Sequence, residues 1–329
     1  MPPTLANGPE SQRSQPPPRR SDRFWFDDGS VLVSLVPSVY KIHKSILDRH
    51  STKFAPWLLD ATDPTALALS MAIGDAETPI MAIPVELGTT IEDFETLLAH
   101  LYHDSPLRAQ SPFSQLACIL RVSSPRQLDL TSIFEFANHH LATLFPGGPV
   151  PFAHLHRTEY LEEALELALQ YGIESGTKKA LVYSVATSTD FDPRGEFDPS
   201  GPENLDTSGE GTPHPALSPR TIHICHRLLA SLIADFTPVL FTVCAASHMA
   251  CTDIIADRWM TDVITPALAD GGVGRPLETL TRIASLSWNE MGVCDECVES
   301  KKVEWSETAK DVWEKAGGWI EEAEKEFRN

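Results

Sequence analysis

"VYKIHKSIL" (Val39–Leu47) sets a histidine, His43, where a β-branched, strand-like run gives way to a helix-like one. Asp27 and Asp28 lie upstream, so two readings compete. In one, His43 is a general base oriented by Asp28. In the other it is a partly buried joint between strand and helix, its ring nitrogens satisfied by a carboxylate or a backbone group. The catalytic reading needs a nucleophile. The chain offers no G-x-S-x-G, no H-E-x-x-H and no Walker loop, so the structural reading is the expectation.

On the N-terminal side, "SVLVSLV" (Ser30–Val36) and "SVYKI" (Ser38–Ile42) are two short strand candidates. Pro37 between them cannot donate to a ladder, so it belongs in the turn of a hairpin. On the other side, Ile46 and Leu47 form the apolar side of a helix, followed by Phe54, Trp57, Leu58 and Leu59. Ser51 is placed to cap a second short helix. Residues 60–79 are weakly patterned and predict a loop. "PIMAIPV" (Pro79–Val85) is a third strand candidate. In "TTIEDFETLLAHLYH", Ile91, Phe94, Leu97, Leu98, Leu101 and Tyr102 fall on one helical face, and Thr89 with Glu92 fits a capping box. "PFSQLACILRV" and "TSIFEFANHHLATLF" predict two more helices, the second stopped by "PGGP" (Pro146–Pro149).

The whole chain has 329 residues, which suggests two or three domains. Residues 1–22 are polar and proline-rich, with "PPPRR" at Pro16–Arg20, and predict a disordered arm without the apolar core of a signal peptide. Order is expected from about Phe24. Residues 158–187 predict a helical pair broken at Gly172. The stretch 188–220 has seven acidic and two basic residues and predicts an acidic disordered loop. Residues 221–329 are helical in pattern. Their apolar run "FTPVLFTVCAASHMAC" is interrupted by Pro238, and no run of about 18 apolar residues is found, so no membrane-spanning helix is expected. The tryptophans recur at helical spacing and predict core. The fold class is therefore α+β, a strand-containing N-terminal part followed by an all-helical C-terminal region.

With 26 basic and 46 acidic residues the net charge is −20. Such a surface repels phosphate backbones and anionic membranes, so neither nucleic acid nor membrane is an expected partner. Six scattered cysteines are too sparse for a disulfide scaffold, and the chain reads as intracellular, cytoplasmic or nuclear, with reduced thiols.

The order of segments resembles the BTB/POZ domain. "DDGSVLVSLV" (Asp27–Val36), "VYKIHKSILDRHSTKF" (Val39–Phe54) and "FETLLAHLY" (Phe94–Tyr102) carry the resemblance. Its motif positions are Asp28, His43, Leu47, Ser51, Phe54 and Tyr102. Farther along, the helix ending in "LFP", the "ALELALQYGIESGTKKALVYSV" pair and "GVCDEC" are similar to the BTB proteins expanded in mushroom-forming (basidiomycete) fungi. Leu120–Leu130, "LRVSSPRQLDL", lacks the basic residue and tyrosine that the family carries after its "LLRL" helix. The resemblance implies a BTB/POZ domain over 23–146, a helical extension over 150–187 and the helical region 221–329. It implies a non-enzymatic interaction module that forms homodimers or hetero-oligomers. It also implies service as a cullin-3 ubiquitin-ligase adaptor or as a transcription-related scaffold.

One motif points elsewhere. Cys294 and Cys297 form a C-x-x-C, a spacing that lets two sulfurs meet one zinc ion. Two more ligands are needed, and the candidates are Cys251, Cys225, His248 and His223. "HMAC" places His248 and Cys251 near enough to share a centre. The redox alternative wants the motif at a helix start in a thioredoxin-like βαβ pattern, which is absent from the sequence.

Overall fold

The hairpin around Pro37 is the centre of a four-stranded sheet. The computed structural model describes residues 18–51, 53–60, 62–145, 160–173, 175–188, 191 and 217–327. The molecule is α+β and divides into two units, Met1–His140 and Leu141–Asn329.

In the first unit, β2 (Val31–Leu35) and β3 (Ser38–Ile42) pair antiparallel, with Leu35 opposite Ser38 across the turn. β1 (Arg19–Trp25) joins β3 in parallel and β4 (Ile80–Ala82) joins β2 in parallel, giving the order β1-β3-β2-β4. Every residue of β2 is buried, as expected for a central strand covered on both faces. On one face Leu32, Val39 and Ile80 pack with Ala66 and Ile73 of α2 (Pro64–Ile73). On the other, Tyr40 meets Phe94 of α3 (Ile91–Leu101) edge-on, and its hydroxyl donates to Glu95. The short α1 (Lys44–Asp48) carries the fully buried Leu47. Helices α4 (Phe113–Ser123) and α5 (Thr131–Leu144) complete this part of the chain, with the unit boundary falling inside α5.

Four local expectations are corrected. A strand, β1, starts at Arg19, inside the stretch 1–22 assigned to the arm. β1 is polar because its bonds are backbone bonds to β3, and Arg20 lies over the Trp25 ring at 4.7 Å while donating to the Ile73 carbonyl. Residues 60–79 are not all loop, since α2 occupies much of them. Asp63 caps α2 by accepting the Thr65 N–H at 2.7 Å, Pro64 opens it, and Gly74 closes it in the left-handed region. The cap of α3 is Thr90, whose hydroxyl accepts the Asp93 N–H at 3.0 Å, rather than Thr89. Ser51 caps no helix. Its hydroxyl accepts the Lys53 N–H two residues on, a local turn.

In the second unit, α6 (Leu161–Tyr171) and α7 (Ser175–Ala186) form the expected pair, with Gly172 ending the first in the left-handed region. α8 (Pro219–Phe241) starts inside the stretch assigned to the acidic loop, because Ser218 caps it by accepting the Thr221 N–H. It also runs past Pro238 to Phe241. At 23 residues it is long and apolar enough to cross a bilayer, contrary to expectation. Here Ile224, Leu228, Leu232, Phe236 and Leu240 form a buried stripe, and α8 packs on α7 and α12 (Asp295–Glu326).

Between them lie α9 (Met249–Arg258), a π-helical turn (Trp259–Ile264), α10 (Thr265–Ala269) and α11 (Pro276–Ser285). Trp259, Trp288 and Trp305 line up at 6.5 and 6.0 Å between ring centres, and Trp313 meets Tyr183 edge-on. These four indoles are core, as their spacing predicts, whereas Trp25, Trp57 and Trp319 are only partly buried. The arm before residue 18, the "PGGP" stop and most of the acidic loop lie outside the described residues.

Candidate metal centre

Two helices of the second unit begin with a ligand pair. His248 is the N-cap of α9, and Cys251 is its third helical residue. Cys294 is the N-cap of α12, and Cys297 is its third helical residue. At a helix start the N-cap side chain folds back toward the third residue, the geometry that a capping box uses. An x-x spacing therefore places both donors of each pair on one side. Neither His248 nor Cys294 makes a side-chain cap bond, so both donors are free to face each other.

The flanking segments hold the two starts in place. Thr252 reaches back to accept the Ala246 N–H at 2.8 Å, which fixes the loop before His248. Before Cys294, the buried Trp288 donates its indole N–H to the Ile283 carbonyl, and the Val293 N–H returns to the Trp288 carbonyl. Gly292 makes the final turn at φ +103, where a side chain would be strained.

The ligand atoms of His248, Cys251, Cys294 and Cys297 all lie within 4.8 Å of one another. Cys251 Sγ is 3.7 Å from Cys294 Sγ. His248 Nδ1 is 3.2 Å from Cys294 Sγ and 3.5 Å from Cys297 Sγ. A tetrahedral zinc ion with Zn–S near 2.3 Å and Zn–N near 2.0–2.1 Å requires about 3.8 Å between sulfurs and about 3.5 Å between nitrogen and sulfur. These three distances are close to those of that tetrahedron, and Nδ1 is the nitrogen that would ligate.

The surroundings favour the thiolate at Cys297 and oppose it at Cys251. Burial pushes the Cys297 thiol up, but N–H groups of His248 and Ser247 and the neighbouring thiols outweigh it and leave it below its ordinary value. The Cys294 N–H pulls on Cys251, whose thiol is nevertheless raised by burial and by the adjoining sulfurs. His248 is raised by its bond to Cys294, by that residue's charge and by Glu296. The positive ends of two helices also converge here, which favours a centre carrying net negative charge. Three thiolates, a neutral imidazole and Zn²⁺ make a four-coordinate set with net charge −1 and no position left for a reacting water.

Comparison with models of known families, with curated proteins and with solved structures returned no match.

The other sequence candidates lie apart from this cluster. Cys225 is buried in α8, where burial pushes its thiol up to about 12. His223 pairs with Glu326 at 3.5 Å and packs on Phe327. Among the described residues no βαβ context surrounds the C-x-x-C, although it does open a helix.

His43, in the first unit, is a joint. Its Nε2 is 3.3 Å from Asp28 Oδ2, and its Nδ1 is 2.9 Å from the Tyr102 hydroxyl, which also accepts the His43 backbone N–H. One tautomer satisfies the set: Tyr102 O–H donates to Nδ1 and Nε2–H faces Asp28. Asp28 is held below the usual carboxylate range by its bond to His43. Phe26 packs against both rings. Leu47 and Phe54 are fully buried, and Phe54 meets Trp57 edge-on. The sequence paired Asp28 with His43 and placed Tyr102 in the same motif, without a contact between Tyr102 and His43. The approach of Tyr102 has no local signal, because it is distant in the chain. The two N-cap positions of the metal cluster were missed too, although Gly292 before "VCDEC" was a usable turn signal.

Proposed function

We propose that the protein is a non-catalytic interaction module whose helical C-terminal unit is held together by a structural zinc ion on His248, Cys251, Cys294 and Cys297. The supporting observation is the Cys₃His set, whose four ligand atoms lie within 4.8 Å of one another. A catalytic zinc keeps one position open, and this set supplies all four. Elemental analysis of the purified full chain is expected to find one zinc per chain, and Cys297→Ser is expected to lose it. A metal-free wild-type chain, equally stable with and without added zinc, would sink this reading.

For the first unit we propose a BTB/POZ-like assembly module acting through homodimers or hetero-oligomers. The ordered motif set from Asp27 to Tyr102 and the Asp28–His43–Tyr102 joint support it. Size-exclusion with light scattering on the full chain tests it, and a strict monomer at micromolar concentration counts against it. Cullin-3 recruitment is a narrower version, tested by pull-down with the N-terminal part of cullin-3.

A further inference from the structure

The four ligands are not equally sheltered. Of the three ligand cysteines, Cys251 and Cys297 are buried and Cys294 is not. Cys251 is 5 % exposed and Cys297 is fully buried, whereas His248 is exposed. The tetrahedron therefore turns one edge, His248–Cys294, to solvent and the other, Cys251–Cys297, to the core. A small oxidant from solvent meets the Cys294 sulfur first. The sulfur of Cys251 stands behind it at 3.7 Å.

We propose that the centre is a peroxide-sensitive switch in which Cys294 is oxidised, Cys251 resolves it to a disulfide and zinc is released. The inference rests on the zinc reading above. In the first step the Cys294 thiolate attacks a hydroperoxide, the O–O bond breaks, and a sulfenic acid and one hydroxide (or alkoxide) form. In the second, the Cys251 thiolate attacks the sulfenic sulfur, the S–O bond breaks, and a second hydroxide leaves as the S–S bond forms. The two thiolates lose two electrons, the peroxide gains them, and zinc stays divalent. The sulfurs must close from 3.7 Å to about 2.05 Å, a movement of roughly 1.7 Å.

Two ligands then remain, His248 and Cys297, too few to hold a structural zinc. The new bond joins the same two helix starts that the metal joined, Cys251 in α9 and Cys294 at the head of α12. Oxidation therefore exchanges one cross-link for another and discharges the metal without freeing the helices. Cys118, Cys225 and Cys244 are expected to stay out of this chemistry. Burial raises all three thiols, to about 12 in Cys118 and Cys225.

The test uses the zinc-loaded full chain treated with hydrogen peroxide, with zinc release followed by a chromogenic chelator and disulfides mapped by mass spectrometry. The expected result is one zinc released per peroxide consumed, one Cys251–Cys294 disulfide, and recovery of zinc binding after dithiothreitol. Zinc retained at ten equivalents of peroxide, with the ligands still reduced, overturns the switch and leaves the zinc reading standing. A Cys294–Cys297 disulfide overturns the exchange of cross-links. A chain purified without zinc fails the metal reading first, and the inference falls with it.

Discussion

His43 gathers four contacts in one ring: the Asp28 carboxylate, the Tyr102 hydroxyl and the faces of Phe26 and Tyr102. Their magnitudes differ. The carboxylate of Asp28 is largely in water, so its pair with His43 is screened and contributes little. The bond to Tyr102 is half-buried and contributes about 1 kcal/mol, with ring packing added. His43→Ala is therefore expected to cost about 1–2 kcal/mol in urea unfolding, and Asp28→Asn much less. Equal losses would show that the carboxylate, not the tyrosine, anchors the ring. The joint itself was legible in the sequence, because the strand run before His43 and the helix run after it are local patterns. Its partner was not legible as a partner. Tyr102 was read as one residue of an apolar helical face, and only tertiary structure turns its hydroxyl back to His43.

Helix α2 shows why one element escaped the sequence. "PTALALSMAI" is apolar almost throughout, so it has no polar face to set a period, and Leu67 and Met71 remain exposed. Its end signals, Asp63–Pro64 and Gly74, were present, but the missing period outweighed them. What docks its end is the ion pair beyond Gly74, where Lys41 of β3 donates to Asp75 at 2.9 Å with both side chains mostly buried. That hydrogen bond, helped by Thr78, draws Asp75 from 3.8 down to about 2. The folded-state value lies below the unfolded one. The contribution is thus fully present above about pH 4, shrinks as pH falls toward 2, and is gone below that. Asp75→Asn is expected to cost about 1–2 kcal/mol at pH 7. The gap between wild type and variant in urea should narrow as pH drops from 4 to 2. A pH-independent gap would assign the loss to packing instead of charge.

At the scale of the whole molecule, the metal ligands and the tryptophan reporters are unevenly shared. His248, Cys251, Cys294 and Cys297 all belong to the unit Leu141–Asn329, as do Trp259, Trp288, Trp305, Trp313 and Trp319. The sheet unit holds Trp25 and Trp57. The α+β class was legible because strand-like and helix-like periods segregate along the chain, and the four ligands were legible as residue types at short spacings. The closure of two such pairs on one centre was not, since it depends on two helix starts meeting across the "TDIIADRWM" to "GV" segment. Zinc bound to the folded state alone, at a free concentration about 100 times its Kd, stabilises by about 2.7 kcal/mol. For a unit of this size, that is a shift of about 5–10 °C. Chelation of the full chain is expected to lower the tryptophan-detected midpoint by that amount. Hydrogen exchange should show protection lost first at the starts of α9 and α12, while β2 and β3 amides keep theirs. A chelator that strips protection from β2 and β3 to the same extent would mean that the metal governs the whole chain rather than the helical unit that carries its ligands.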